Sequence, residues 1–133
     1  MAKTKQQHGA VILVVADLEY LRDGIKALLE TDRHRIHTAR NEEDAIDTAM
    51  RVRPDLILIS LDQSGDYVTA FARGVRARAN LSDSIPIVMF CILTVPEGAE
   101  VPIGENTYAT RPVNFNQLRK FLRRLLVRVP AVL

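Results

Sequence analysis

The sequence of 133 residues is poor in the residues that build several common kinds of site. It has one cysteine, no tryptophan and three histidines, and aromatic residues make up 5% of it. A single cysteine excludes an intrachain disulfide and a cysteine-rich zinc site. The apolar runs reach only about seven residues, whereas a membrane-spanning helix needs about 20, and MAKTKQQHGA at the N-terminus lacks the apolar part of a secretory signal. We therefore expect a cytoplasmic protein without a membrane-spanning segment.

The rest of the composition is typical of one folded domain. Hydrophobic residues make up 47% of the chain and charged residues 26%, a balance found in globular proteins of this length. The net charge is only +2, but acidic residues predominate in residues 1–66 and basic residues in residues 67–133. Such an asymmetry indicates a partner surface late in the chain. We expect a flexible tail over residues 1–9, a domain over residues 10–128 and a second tail over residues 129–133.

Apolar runs typical of buried strands alternate with segments of helical period. The predicted strands are Val11–Ala16, Arg35–Ala39, Leu56–Leu61, Ile87–Ile92 and Thr107–Thr110. The predicted helices cover Leu18–Leu29, the residues between Asn41 and Pro54, Tyr67–Ala79, and a final segment that starts near Asn114. Apolar strands that alternate with helices predict a parallel sheet covered on both faces. Right-handed crossovers then favour a doubly wound, flavodoxin-like α/β sheet of five strands in the order 2-1-3-4-5.

Local signals add detail to this prediction. Asp17 and Asn41 stand where the first two helices would be capped, and Leu28 and Met50 fall on the faces predicted to be buried. Only a short stretch, TVPEGAEVPIGEN, separates the fourth strand from the fifth. Its prolines and glycines oppose a long helix. We expect a loop or one short turn there, so that the fourth helix of the alternation is shortened or missing.

Five segments in this order resemble the receiver (CheY-like) domains of bacterial two-component response regulators. They are VILVVAD, TARNEEDA, PDLILISL, IPIVMFC and GENTYATRPVNFNQL. The resemblance runs from about Val11 to Leu126, nearly the whole predicted domain. It implies a site at the carboxyl ends of the strands, where two acidic residues hold Mg²⁺ and an aspartate accepts a phosphoryl group from a histidine kinase.

The positions that the resemblance assigns to this chemistry hold other residues. The acidic pair corresponds to Ala16 and Asp17, and the phospho-acceptor corresponds to Ser60. The hydroxyl residue after the fourth strand corresponds to Cys91, and the lysine before proline corresponds to Arg111. The resemblance therefore implies a degenerate member of the family, a pseudo-receiver.

The physical consequences of these replacements can be weighed. One carboxylate beside one guanidinium gives a formally neutral pocket, which offers little to a divalent cation with strict octahedral demands. Ser60 has no neighbouring base to activate its hydroxyl. Arg111 is expected to pair with Asp17 across the strand ends, and its bond to Pro112 is open to either isomer. We expect no cofactor, no Mg²⁺ binding, no enzymatic activity and no phosphoryl transfer at Ser60.

Two alternatives remain open for this end of the sheet. Asp62 lies two residues after Ser60, so that it faces the same side of an extended chain. If the third strand ended two residues later, Asp62 would be an alternative phospho-acceptor in an active receiver. Cys91 is a candidate nucleophile or redox group, although a lone buried cysteine is usually a small apolar packing residue.

The final helix is the candidate surface for partners. We expect a signalling protein or a second copy of the chain to bind on the side of the fifth strand and this helix, at Tyr108, Arg119, Lys120, Arg123 and Arg124. Nucleic acid is not expected to bind, because the net charge is small and no stacking aromatics accompany the basic residues. The sequence thus predicts a phosphorylation-independent interaction module in two-component signalling, whose partner and pathway it does not identify.

Overall fold

The computed structural model describes residues 9–90 and 93–128. In chain order the strands are β1 (Val11–Ala16), β2 (Arg35–Ala39), β3 (Leu56–Ser60), β4 (Ile87–Phe90), β5 (Glu100–Gly104) and β6 (Thr107–Thr110). The helices are α1 (Glu19–Glu30), α2 (Glu42–Val52), α3 (Gly65–Arg78) and α4 (Phe115–Arg128). Both predicted tails lie outside the described residues, apart from Gly9. None of the helices in the described part of the chain is long and apolar enough to cross a membrane.

The strands form one six-stranded sheet in the order β2-β1-β3-β4-β6-β5. All neighbouring strands are parallel except β5, which runs antiparallel to β6. Since β6 is the predicted fifth strand, the flavodoxin-like order of the five parallel strands is confirmed. The prediction of only five strands is wrong, because β5 adds an antiparallel edge strand.

Two apolar clusters, one on each face of the sheet, explain why the strand sequences are continuous runs of apolar residues. Side chains alternate between the two faces of a strand: in β1, Leu13 and Val15 pack with α2 and α3, whereas Ile12 and Val14 pack with α1 and α4. Because both faces of the sheet are covered, every residue of β3 and β4 is buried. The burial pattern matches the parallel architecture predicted from the sequence.

A β-hairpin follows β4 in place of the fourth helix of the alternation. Turns occupy most of residues 93–99, and β5 then pairs with β6. Val101 and Ile103 pack against the apolar cluster on the α3 side of the sheet, so the hairpin covers surface that a helix would otherwise bury. Pro102 is compatible with β5 because an edge strand leaves one side without ladder hydrogen bonds. The absence of a helix in residues 93–99 agrees with the prediction, whereas the strand was not foreseen.

The helix termini confirm some local predictions and correct others. Asn41 caps α2, since its side chain accepts a hydrogen bond from the Asp44 amide at 2.9 Å. The cap predicted at Asp17 is wrong, because α1 begins after Leu18 and has no side-chain cap. Leu28 and Met50 were predicted to be buried but are exposed, because each lies at the margin of its helix's apolar stripe.

Candidate functional site

The carboxyl ends of β1 and β3 meet where the sequence predicts a degenerate phosphorylation site. Ala16 and Ser60 are partners in the register of the two strands, and both are buried. β3 ends at Ser60, as its spacing from Pro54 predicts. The shift that would place Asp62 at the end of the strand is not observed, and Asp62 lies exposed in the loop that follows.

Asp17 is held by the loop after β3. One of its carboxylate oxygens accepts a hydrogen bond from the backbone N–H of Asp62 at 3.2 Å. Asp17 lies one residue before the N-cap position of α1, which Leu18 occupies. The structure thus brings two predicted site residues, Asp17 and Asp62, next to each other.

Arg111 does not make the ion pair that the sequence predicts. No salt bridge joins it to Asp17. Its backbone instead extends the hairpin: its N–H donates to the Ala99 carbonyl at 3.2 Å, and its carbonyl accepts from the Gly98 N–H at 2.7 Å. These bonds fix the backbone of Arg111 to the loop before β5. The bond from Arg111 to Pro112 is trans.

Arg22 is a residue of this end of the sheet that the sequence reasoning missed. Its guanidinium Nη1 donates to the carbonyl oxygen of Ala16 at 2.8 Å, at the point where β1 ends. The available signal was its position one turn into a helix that starts directly after the strand. A cation at this distance adds positive charge beside the positions that the resemblance assigns to metal binding.

The donor set at these positions does not fit Mg²⁺. Ala16, Ser60 and Arg111 offer no carboxylate, so Asp17 is the only one among the assigned positions that the structure describes. Mg²⁺ prefers carboxylate and water oxygens in octahedral geometry. Two unit positive charges about 4 Å apart repel each other by about 4 kcal/mol at an effective dielectric constant near 20, and a divalent ion doubles that repulsion. Within residues 9–90 and 93–128, no cluster of three or more His, Cys, Asp or Glu side chains could hold a metal.

Cys91 lies outside the described residues, and its predicted role as a packing residue or nucleophile stays a prediction.

The predicted partner surface is partly occupied by contacts within the chain. Arg119 makes a bidentate ion pair with Asp32, in which its Nε lies 2.7 Å from Oδ2. The hydrogen bond from Arg119 lowers the pKa of Asp32, against the effect of burial. This pair joins α4 to the loop between α1 and β2, so Arg119 stabilises the fold rather than standing free for a partner.

Two further residues of that surface also hold α4 in place. Arg124 pairs with Glu100 of β5 and lies over the ring of Phe121 at 5.4 Å. Tyr108 packs edge-on against the same ring and donates its hydroxyl to Asn106 at 2.9 Å. The other two predicted residues, Lys120 and Arg123, are exposed and make no ion pair with another described residue.

Comparisons with known proteins place this geometry in a structural class. No protein-family model matches the chain. The chain is 27% identical over 124 residues to the sensor histidine kinase AruS of Pseudomonas aeruginosa, covering 91% of this chain and 12% of the kinase. It is 33% identical over 95 residues to a protein-glutamate methylesterase/protein-glutamine glutaminase of Bacillus licheniformis, covering 69% of this chain and 25% of that enzyme. The chain therefore spans only a small part of these relatives.

A solved structure shows the same fold over nearly the whole chain. The signal receiver domain of a histidine kinase from Syntrophus aciditrophicus superposes with a TM-score of 0.71 at 23% identity, covering 94% of this chain and 96% of that domain. The chain thus has the flavodoxin-like α/β fold of CheY-like receiver domains. The fold expected from the sequence resemblance is confirmed.

Proposed function

We propose that this domain is a receiver-type module of two-component signalling that no longer takes up a phosphoryl group and acts by binding other proteins. The observation that carries the proposal is the end of β3, where a buried Ser60 faces Ala16 across the register. The relatives in which similar segments occur are a sensor kinase and methylesterases, which suggests a signalling role for the protein that contains this domain.

The charges around Ser60 support the loss of phosphoryl transfer. A serine hydroxyl needs a base to become a nucleophile, and the guanidinium of Arg22 instead donates to the carbonyl of Ala16, the register partner of Ser60. A guanidinium cannot take up a proton. The phospho-acceptor position therefore holds no carboxylate and lies beside a cation, and no enzymatic activity is proposed for it.

The side of β6 and α4 offers a smaller binding surface than the sequence predicts. Since Arg119 and Arg124 are engaged within the chain, Lys120 and Arg123 remain as the exposed basic residues of the predicted surface that make no ion pair with another described residue. We retain this side as a contact for a protein partner or a second copy. Light scattering over a range of concentrations tests self-association, and the variant Lys120→Glu with Arg123→Glu should abolish any increase in mass.

Acetyl phosphate with Mg²⁺, followed by intact-mass measurement, tests the proposal directly. We expect no added phosphoryl group on the wild-type protein, because the strand end offers neither a carboxylate nor a fitting metal site. The variant Ser60→Ala is the matched control and should behave like the wild type. A labile phosphoryl adduct on the wild type would overturn the proposal.

An active receiver that uses Asp62 is the alternative function. The hydrogen bond from the Asp62 amide to Asp17 favours it, because it places a second acidic residue beside the one remaining carboxylate of the assigned set. In the same experiment this alternative requires an adduct that is lost in Asp62→Asn and kept in Ser60→Ala. Asp62→Asn changes an exposed residue, and Ser60→Ala removes only one hydroxyl group. We therefore expect both variants to fold, and circular dichroism checks this.

A further inference from the structure

The carboxyl end of the sheet carries most of the large apolar side chains that this domain exposes. Five side chains in the loops and first helical turns after β1, β3, β4 and β6 form a group that we name the apolar face: Leu18, Tyr20, Tyr67, Leu93 and Val113. Their exposed fractions run from 39% for Leu18 to 79% for Leu93. The other exposed large apolar residues described, Leu28, Met50 and Val127, lie singly near the far ends of three helices.

The sheet topology brings the apolar face together. β1, β3, β4 and β6 are successive neighbours in the sheet, so the loops at their carboxyl ends lie side by side. Contacts between these loops support this: Asp62 bonds to Asp17, and a Cβ on Gly98 would lie 3.6 Å from Val113. Three strand spacings of about 4.8 Å give the face a width of about 14 Å. Exposed apolar side chains gathered on neighbouring loops in this way indicate a binding site.

The charges around the apolar face have predominantly one sign. The exposed acidic residues of the same loops and first turns, which we name the acidic rim, are Asp17, Glu19, Asp62, Asp66 and Glu97. The basic residues in these segments are Arg22, whose guanidinium donates to the Ala16 carbonyl, and Arg111, and both are half-buried. Within the described residues no acidic-rim side chain makes a salt bridge. A negative rim repels nucleic acid and anionic membranes and attracts a basic partner.

The last helix of a second copy does not supply the required surface. Its exposed basic residues, Lys120, Arg123 and Arg124, stand beside an apolar stripe of Leu118, Leu122 and Leu125 that is buried in the core. A partner must present basic and apolar side chains together, as a basic amphipathic helix does. A width of about 14 Å corresponds to about nine residues of helix at 1.5 Å per residue, which provides anchors at positions i, i+3 or i+4, and i+7.

We propose that the apolar face and its acidic rim bind a basic amphipathic helix of another protein. This proposal deepens the proposed function, since it assigns a surface and a partner chemistry to the binding module. Ala16 and Ser60 stand where the resemblance assigns acidic residues. The carboxylates that remain at this end surround apolar side chains and are available to a cationic helix.

A labelled peptide of leucine and lysine, about 18 residues and five helical turns long, tests the proposal by fluorescence anisotropy. A peptide of the same composition with a scrambled order is the control for charge alone. We expect saturable binding of the amphipathic peptide that weakens in about 0.5 M salt, and much weaker binding of the scrambled one. Failure of the amphipathic peptide to saturate, or equal binding of both peptides, would overturn the proposal.

Matched double variants locate the site. Tyr67→Ser with Leu93→Ser removes two exposed side chains of the apolar face and should weaken binding about tenfold. Met50→Ser with Val127→Ser removes two exposed apolar side chains elsewhere and should change the affinity less than about twofold. Equal losses in the two pairs would contradict the proposal. Phosphorylation of Asp62 would overturn the proposed function and leave this result intact, so the two failures are distinguishable.

Discussion

At the amino end of the sheet, Arg76 donates hydrogen bonds to the carbonyls of Ser82 at 2.8 Å, Ile85 at 3.0 Å and Glu105 at 2.8 Å. It also bonds to Thr107 Oγ1 at 3.2 Å. At the carboxyl end, Asp17 accepts one hydrogen bond from a backbone amide, and the acidic rim around it makes no salt bridge with another residue of the described part of the chain. At the amino end of the sheet, one charged residue thus joins four segments: α3, the loop before β4, the turn between β5 and β6, and β6. At the carboxyl end, the charged residues of the acidic rim are exposed to solvent.

This difference separates residues that maintain the fold from residues available for binding. Arg76 joins α3, the loop before β4 and the turn between β5 and β6, and burial lowers its pKa. Its neighbour Arg73, one turn earlier on α3, is exposed. Both line a groove of about 320 Å³ between α3 and the hairpin. We infer that Arg76 makes the amino end a region of stability, whereas the proposed site for a basic helix lies at the opposite end.

The largest expected effect is at the amino end. Replacing Arg76 by methionine leaves several carbonyls without a donor and should lower the free energy of unfolding by about 3 kcal/mol. Urea unfolding measures the loss. Arg73→Met is the matched control and should change stability by less than about 0.5 kcal/mol. Equal losses of stability in the two variants would mean that Arg76 contributes no more to the fold than its exposed neighbour Arg73.

Restoring carboxylates at the carboxyl end should have the next largest effect. In the double variant Ala16→Asp with Ser60→Asp, two buried carboxylates lie close to Asp17, and without metal we expect a loss of about 2 kcal/mol. Mg²⁺ at millimolar concentration should recover part of that loss, because three carboxylates supply the missing donors. The wild-type melting temperature should not respond to Mg²⁺. A response of the wild type, or none in the variant, would contradict our account of the donor set.

A smaller effect is expected from pH at the edge of the sheet near the amino end. His34 Nδ1 accepts a hydrogen bond from the Ala10 N–H at 3.0 Å, which requires a neutral ring. Burial lowers the pKa of His34, Arg123 lowers it further, and Asp32 opposes the shift. The unfolded chain therefore binds the proton more readily, so stability is fully present above about pH 6.5 and falls as the pH decreases below it.

Urea midpoints measured between about pH 8 and pH 5 test this dependence. His34→Gln should flatten the profile near pH 6, because it removes the titrating ring. His37→Gln, on the neighbouring strand β2, is the control for the replacement of a histidine that does not bond to Ala10. A wild-type protein that gains stability as the pH falls through this range would show that the sign is wrong.

The smallest effects are expected within the acidic rim. Asp17→Asn keeps an oxygen that accepts from the Asp62 amide, and Asp62 is exposed, so Asp17→Asn and Asp62→Asn should each change stability by less than about 0.5 kcal/mol. Thermal unfolding measures both. A loss comparable to that of Arg76→Met would mean that the carboxyl end is held together by charge as firmly as the amino end.

Local patterns were sufficient to predict the parallel sheet and several helix limits. The apolar runs of β1, β3 and β4 report burial on both faces, and the Asn41 cap involves residues only three apart. The antiparallel strand β5 was missed because Pro96, Gly98 and Pro102 were interpreted as loop signals. The alternation of Glu100, Val101 and Ile103 before a Gly-Glu-Asn turn was the available sign of a hairpin.

The contacts of the candidate site depend on residues far apart in the chain. Asp17 and Asp62 are separated by 45 positions, and Arg119 and Asp32 by 87. The spacing from Pro54 correctly predicted that β3 ends at Ser60. Spacing did not show which charged residues would form ion pairs. The ion pair predicted between Asp17 and Arg111 was wrong for that reason. Two arginines of the predicted partner surface, Arg119 and Arg124, bind acidic residues of the same chain.

The most direct test of the central claim is an NMR titration of the wild-type protein with Mg²⁺ and then beryllofluoride, monitored at the amides of Asp17, Ser60 and Asp62. Our account predicts no saturable shift at these amides with either addition, because the strand ends lack the carboxylates that a metal and a phosphoryl group require. A saturable response to Mg²⁺ at millimolar concentration, followed by a second change with beryllofluoride, would contradict it and identify an active receiver.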